Sequence, residues 1–208
     1  MKLLAIADLH GYMPALRNIL EAVPLEEIDL VLFAGDVTNF GPVSELEEAM
    51  NVLVDKRVLA VPGNCDLGDV IRALDGSAWG IHGRSTAVKG ITFAGTGGGH
   101  PDLGTILKAA IERDGPLVLV THAPPSGTGA AQLPNGQDIG SDEVHRAITK
   151  LSPALVVCGH VHESPGRFQL GDTVVVNPGP AQDGRYAIIK LGRKGKVSSV
   201  SLGQSGGW

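Results

Sequence analysis

The sequence predicts an α/β fold in which parallel strands alternate with helices. Three observations carry that expectation. Short apolar runs recur and each stops at a polar residue: Lys2–Ala7 before Asp8, Asp29–Ala34 before Gly35-Asp36, and Arg57–Val61 before Pro62-Gly63-Asn64. Between these runs lie stretches whose apolar residues fall three and four apart, the period of a helix with one buried face. Finally, 29 glycines and 13 prolines stand against 4% aromatic residues, a balance that suits many short turns between elements rather than disorder.

Lys2–Ala7 reads as a buried strand, followed by Asp8-Leu9-His10-Gly11. Met13–Val23 sets Leu16, Ile19, Leu20 and Val23 on one stripe and completes a first β-α unit. Asp29–Ala34 is a second strand. Gly41-Pro42 starts a helix over Val43–Val54, with the acidic first turn that the helix dipole favours. Arg57–Val61 is a third strand, ending in Pro62-Gly63-Asn64-Cys65-Asp66, and Leu67–Leu74 is a short helix. Ligands of open parallel sheets bind beyond the carboxyl ends of the strands. Three successive strands ending in a residue able to hold metal are the trace such a site would leave.

From Ser77 to Ala94 the pattern turns to short strands, with Lys89-Gly90 as a hairpin turn. Gly95-Thr96-Gly97-Gly98-Gly99-His100 is either a phosphate-binding loop or a plain turn, glycine being the default wherever φ is positive. Asp102–Arg113 reads as a helix capped by Asp102. Leu117–Val120 is a strand running into Thr121-His122-Ala123-Pro124-Pro125, and a long polar loop, Ser126–Gly140, leaves straight from that histidine. Ser141 or Asp142 caps a helix reaching about Lys150. The apolar run Ala154–Val157 then leads into Cys158-Gly159-His160-Val161-His162. Two histidines two residues apart face the same way if the chain is still extended there, and can share one ion or serve two neighbouring ions. Phe168–Leu170, Thr173–Val176, Tyr186–Leu191 and Val197–Leu202 read as a closing antiparallel set, with Asn177-Pro178-Gly179-Pro180 a tight loop between two of them. No repeat, low-complexity segment or linker interrupts the 208 residues, so one domain over 1–208 is expected.

A formal charge of −5 with no basic run argues against capture of a nucleic-acid backbone or an anionic membrane, and leaves room for a small phosphorylated substrate. Two cysteines make no disulfide framework. The apolar N-terminal run breaks at Asp8, too short for a signal peptide or a membrane span, so a cytoplasmic protein is expected. The oligomeric state is open, a dimer included.

Collected, the strand ends offer Asp8, His10, Asp36, Asn64, His122, His160 and His162. Nitrogen and oxygen donors without thiolate suit Mn, Fe, Zn, Co or Ni better than Ca or Mg. Seven donors are too many for one tetrahedral ion and fit two ions that share a carboxylate and a water. Two divalent ions, two carboxylates and a bridging hydroxide leave a charge of about +1, which attracts a phosphate ester.

The order Asp-x-His, Gly-Asp, Gly-Asn-x-Asp, His, Gly-His-x-His, running from Asp8 to His162, resembles the calcineurin-like metallophosphoesterase superfamily. The small size, Thr-His-Ala-Pro-Pro, Gly140-Ser141 and Asn177-Pro178-Gly179 resemble its compact prokaryotic phosphodiesterase branch. The resemblance implies a four-layer αββα sandwich with two mixed central sheets. It also implies two divalent transition metal ions, Mn favoured, with Asp8, His10 and His162 on the first, Asn64, His122 and His160 on the second and Asp36 bridging. A hydroxide between the ions would attack phosphorus in line, and Asn64 and His122 would also contact the substrate.

Two departures matter. The family's third block usually carries histidine after the asparagine; here Cys65 stands there, either as a weak proton donor to the leaving group or as a packing residue. The arginines that the superfamily's protein phosphatases place near the second and third blocks are replaced by Val37-Thr38-Asn39-Phe40-Gly41 and Val61-Pro62, which favours a diester with its single charge. The alternatives are a phosphomonoesterase or nucleotide pyrophosphatase, or a non-catalytic scaffold. Asp66 either fixes a ligand or Cys65, or caps a turn or helix. Of the other histidines, His100 is the best placed for a substrate contact, His145 reads as a packing or surface residue and His82 has no assigned role.

Overall fold

A computed structural model describes residues 1–98, 102–111 and 115–206. In chain order the strands and helices are β1 (Lys2–Ile6), α1 (Met13–Ala22), β2 (Leu30–Ala34), α2 (Val43–Val52), β3 (Val58–Val61), α3 (Gly68–Asp75), β4 (Ser85–Val88), β5 (Ile91–Thr96), α4 (Leu103–Ile111), β6 (Leu117–Thr121), α5 (Asp142–Leu151), β7 (Leu155–Val157), β8 (Gly166–Leu170), β9 (Thr173–Asn177), β10 (Arg185–Leu191) and β11 (Val197–Gln204). They form two mixed sheets, ordered β11-β10-β1-β2-β3 and β4-β5-β6-β7-β9-β8.

The near-continuous apolar strands are explained by burial on both faces. Along β1, Leu3 and Ala5 point between the sheets while Leu4 and Ile6 point at the helices. Leu32 and Ala34 of β2 likewise face Val118, Val120, Leu155 and Val157 of the second sheet, and Val31 and Phe33 face α1 and α2. The outer face of the second sheet, with Leu119, Val156 and Val175, is covered by Ile106 and Ala110 of α4 and Val144 and Ile148 of α5. Three apolar layers between four tiers make the αββα sandwich.

Strands β1, β2 and β3 run parallel, as do β5, β6, β7 and β9. Their carboxyl ends emerge at one end of the sandwich. The antiparallel strands lie outside them: β10 and β11 in the first sheet, β4 and β8 in the second. The last four strands are therefore not one antiparallel set. They divide between the sheets, and β9 is parallel to β7. The reason lies in Asn177-Pro178-Gly179-Pro180, which crosses from one sheet to the other instead of folding a hairpin. Pro180 bridges to Ala7, and the Ala181 amide donates to the Ala7 carbonyl at 2.8 Å.

The 126–140 loop is packed rather than open. Ala130 and Ala131 are buried, and the Asp138 carboxylate accepts from the amides of Gly127 and Gly140 and from Gln132 Nε2. That self-contained bonding is typical of a compact loop with adjacent ends. Ser141 caps α5, accepting from the Val144 amide. Among the described residues no helix is long and apolar enough to cross a membrane.

Leu32 is fully buried between the sheets, whereas Leu202 on the edge strand is 48% exposed. Leu32→Ala should lower Tm by about 5–15 °C, through a loss of ~2–5 kcal/mol. Leu202→Ala should move it by less than about 2 °C. A thermal melt of the two variants compares them directly.

Candidate metal centre

Five strand ends deliver the seven predicted donors to one place. Asp8 and His10 follow β1, Asp36 follows β2, Asn64 follows β3, His122 follows β6, and His160 and His162 follow β7. The Asp8 carboxylate accepts the His160 amide at 3.0 and 3.2 Å, joining the two sheets. His162 Nε2 lies 3.6 Å from Asp8 Oδ1 and 3.4 Å from His10 Nε2. His10 Nε2 is 3.8 Å from Asp36 Oδ2, and the same oxygen is 3.4 Å from His122 Nε2. Asn64 Oδ1 stands 2.8 Å from His122 Nε2. Asp36 thus stands between His10 and His122, and Asp8 reaches both groups, its Oδ1 also lying 3.9 Å from His122 Nδ1.

The two histidines after β7 part company. His162 meets His10 edge to face, with ring centroids 5.3 Å apart, while His160 meets His122 in the same manner at 5.0 Å. Strand alternation is not what aims them. The sheet ends at Ile6 and at Val157, before the donors begin. Asp8, His10, Asp36 and His160 all adopt left-handed backbone, with φ of 56°, 48°, 51° and 71°. Side chains with a Cβ rarely accept that region, and its occupation at a cluster of polar residues is characteristic of a functional site. Among the described residues, donor groups close enough to share an ion comprise Asp8, His10 and His162; Asp8, Asp36 and His122; and His10, Asp36 and Cys65.

Glycines let the pieces approach. A Cβ on Gly35 would come within 2.4 Å of His122 Nδ1, and one on Gly63 within 2.0 Å of Asp36 Oδ1. His122 is fully buried, and its Nδ1–H donates to the Ala34 carbonyl at 2.9 Å. A carbonyl can only accept, so in the neutral imidazole this bond leaves Nε2 as a lone pair. That lone pair faces two further acceptors, Asn64 Oδ1 and Asp36 Oδ2. In that form three acceptors point at one another, a repulsion that a proton or a metal ion among them relieves, and a metal-ligating imidazole commonly gives its other N–H to a carbonyl in this way. The donor set therefore fits metal.

The sequence left Asp66 open between fixing a ligand or Cys65 and capping a turn or helix, and did not show that it holds the donor loops by their main chain. The buried Asp66 carboxylate accepts from the amides of Val37 at 3.3 Å, Thr38 at 2.9 Å and Gly63 at 2.8 Å, and from Thr38 Oγ1 at 3.0 Å. It binds the loop after β2 to the loop after β3 and caps no helix, since α3 begins behind Leu67. Asn177 plays a comparable part, its Nδ2 donating to the Val161 carbonyl at 2.8 Å between the two histidines. The polarity of Asn177 beside Pro-Gly was visible; its burial was not.

Cys65 donates its amide to Asp36 Oδ1 at 2.7 Å, and its sulfur accepts from Asn64 Nδ2 at 3.3 Å. Burial, then the charge of Asp36, pushes the thiol up to about 12. Burial and the neighbouring His122 hold His160 below the usual imidazole range, while a hydrogen bond to Asp8 raises His162. His82 accepts the Gly97 amide at 2.9 Å, and the Gly98 amide is given to the Pro62 carbonyl at 2.8 Å. With those two amides engaged, the loop through Gly98 serves as a turn seated on the end of β3. His145 donates Nδ1–H to the Ser126 carbonyl at 2.7 Å, a packing role. His100 lies outside the described residues.

Comparison with known proteins agrees with this geometry. The profile of the calcineurin-like phosphoesterases matches residues 1–164. An uncharacterized protein of Methanocaldococcus jannaschii is 32% identical over 198 residues, covering 86% of this chain and 88% of its own. Phosphodiesterase YfcE of Escherichia coli is 36% identical over 75 residues, 32% of this chain and 40% of its own. A crystal structure from Thermus thermophilus superposes with a TM-score of 0.76 at 19% identity, covering 98% of each chain. Matched over most of its length by the family profile and by a relative of similar size, the chain belongs to the calcineurin-like phosphoesterase family.

Proposed function

We propose that this protein is a dinuclear metal-dependent phosphodiesterase acting on a small phosphorylated substrate, and that residues 1–208 form its single domain. Asp8, His10 and His162 would hold one divalent cation, Asn64, His122 and His160 the other, and Asp36 would lie between them. The observation that carries the reading is at His122: with Nδ1–H given to Ala34, the neutral imidazole presents its second nitrogen as a lone pair beside Asn64 Oδ1 and Asp36 Oδ2. The chemistry of these donors favours Mn, with Fe, Zn, Ni or Co as alternatives. Bound cations of this kind supply Lewis acidity and lower the pKa of coordinated water.

The chain's own residues do the positioning. His160, depressed by burial, is poised to bind as the neutral imidazole. Asn64 turns its amide nitrogen to Cys65 and its oxygen to the donors. Cys65 donates its amide to Asp36 Oδ1 and accepts from Asn64 Nδ2 at its sulfur, contacts that support a packing role for it. Among the described residues no lysine or arginine pairs with any of the seven donors. With no extra cation to neutralise a dianion, the singly charged diester is the better fit. The partial match to a protein named phosphodiesterase supports the same choice.

Mn-loaded protein should cleave bis(4-nitrophenyl) phosphate with kcat/KM about tenfold or more above that for 4-nitrophenyl phosphate, and excess chelator should abolish both. A preference for the monoester would reverse the assignment of substrate class.

Asp66→Asn offers one acceptor oxygen where two now serve four donors. It should weaken metal binding about 10–100-fold, read by titration calorimetry, and lower Tm by several degrees.

In metal-free protein the raised Cys65 pKa means that thiolate appears only as the pH approaches 12. At pH 8 about one thiol in 10⁴ is ionised, so iodoacetamide should leave Cys65 unmodified by mass spectrometry over a time that alkylates the unfolded chain fully.

A further inference from the structure

Among the described residues, seven that are not glycine have left-handed backbone. Four are the donors Asp8, His10, Asp36 and His160. Lys89 sits in the β4–β5 turn, and Ser152 ends α5, both ordinary uses of that conformation. The seventh is Phe40, at φ 65° and 60% exposed. A bulky aromatic residue gains nothing in folding from either condition: glycine would take that φ without strain, and a polar side chain would meet water without cost.

Phe40 is nonetheless held firmly. Its amide donates to the Cys65 carbonyl at 3.0 Å, the Asn39 amide donates to Glu45 Oε2 at 3.1 Å, and the Gly41 amide donates to Thr38 Oγ1 at 3.1 Å. Thr38 is in turn fixed by Asp66. The carboxylate that joins the donor loops therefore also sets the Phe40 loop. Leu67, 49% exposed, follows Asp66 on the other loop. Phe40 and Leu67 are two of the four large apolar side chains that stand exposed among the described residues. The other two are elsewhere, Val54 beyond α2 and Leu202 on β11.

We infer that Phe40 and Leu67 form the contact surface for an aromatic group of the substrate, an aryl or nucleobase-bearing phosphodiester, with the Phe40 ring stacking on it. The inference rests on the phosphodiester reading above and names its substrate class. Two side chains cover about one ring system, too little to take an acyl chain out of water. A flat, rigid partner gains from stacking as well as from area. Backbone strain maintained at an exposed aromatic beside a candidate catalytic centre is a stability cost that a binding role accounts for.

The test uses metal-loaded protein and two singly charged ligands that cannot be hydrolysed, methyl(phenyl)phosphinate and dimethylphosphinate, with binding measured by calorimetry for the wild type, Phe40→Ala, Phe40→Gly and Leu67→Ala. The wild type should bind methyl(phenyl)phosphinate about tenfold or more tightly than dimethylphosphinate, and Phe40→Ala should bring the ratio to within about twofold. Leu67→Ala should reduce the ratio by a smaller factor. Phe40→Gly should lose the preference while Tm rises by a few degrees, since strain is released. Equal wild-type affinities would overturn the inference, and so would a ratio unchanged in Phe40→Ala. Loss of a dimer in Phe40→Ala by sedimentation, with the ratio unchanged, would assign the ring to contact between copies and overturn it equally. Failure of metal-loaded protein to bind either phosphinate would instead remove the phosphodiester reading on which the inference stands.

Discussion

The structure depends on one buried carboxylate. Asp8 is 1% exposed and ends the central strand of the first sheet, yet its oxygens accept the amide of His160, which follows a central strand of the second. A carboxylate removed from water must be compensated by donors or cations. The amide of His160 and the imidazole of His162 provide part of that compensation, and both come from the facing sheet. The electrostatic requirement of a single residue thus fixes how the two sheets meet at their functional end, and the inter-sheet apolar layer fixes their separation elsewhere.

The strand ends were legible because burial on two faces writes an unbroken apolar run, and a polar residue at its end is conspicuous. All seven donors could be named on that basis, and the structure brings them together. The path by which they come together was not legible. Residue spacing suggested that His160 and His162 share a side, but the strand stops at Val157 and the backbone turns left-handed at His160, so the two rings face different partners. Nor did the sequence disclose Asp66 as a clamp between loops, because its partners are main-chain amides and carry no side-chain signature. The C-terminal strands misled for a related reason: hairpin and crossover connections of similar length look alike until Pro180 is seen to bridge to Ala7.

Strain and stability are distributed unevenly across the molecule. Left-handed backbone gathers in the loops after β1, β2 and β7, where donors must turn back toward a common point. The layers beneath are unbroken apolar packing, with strands β1, β2, β6 and β7 buried along their whole length apart from the first residue of β1. Such a scaffold can hold several unfavourable torsions in place, because releasing one would require moving a strand end against a close-packed interior.

The donors span the chain from residue 8 to residue 162, and the bond from His160 to Asp8 closes a separation of 152 residues. During synthesis the first sheet's parallel strands leave the ribosome long before β6 and β7, so Asp8 and Asp36 emerge with His10 but before His122, His160 and His162. Assembly of the complete cluster of candidate donors is consequently a late event in the life of the nascent polypeptide, and a shortened product lacking its last quarter retains the carboxylates but not His160 and His162.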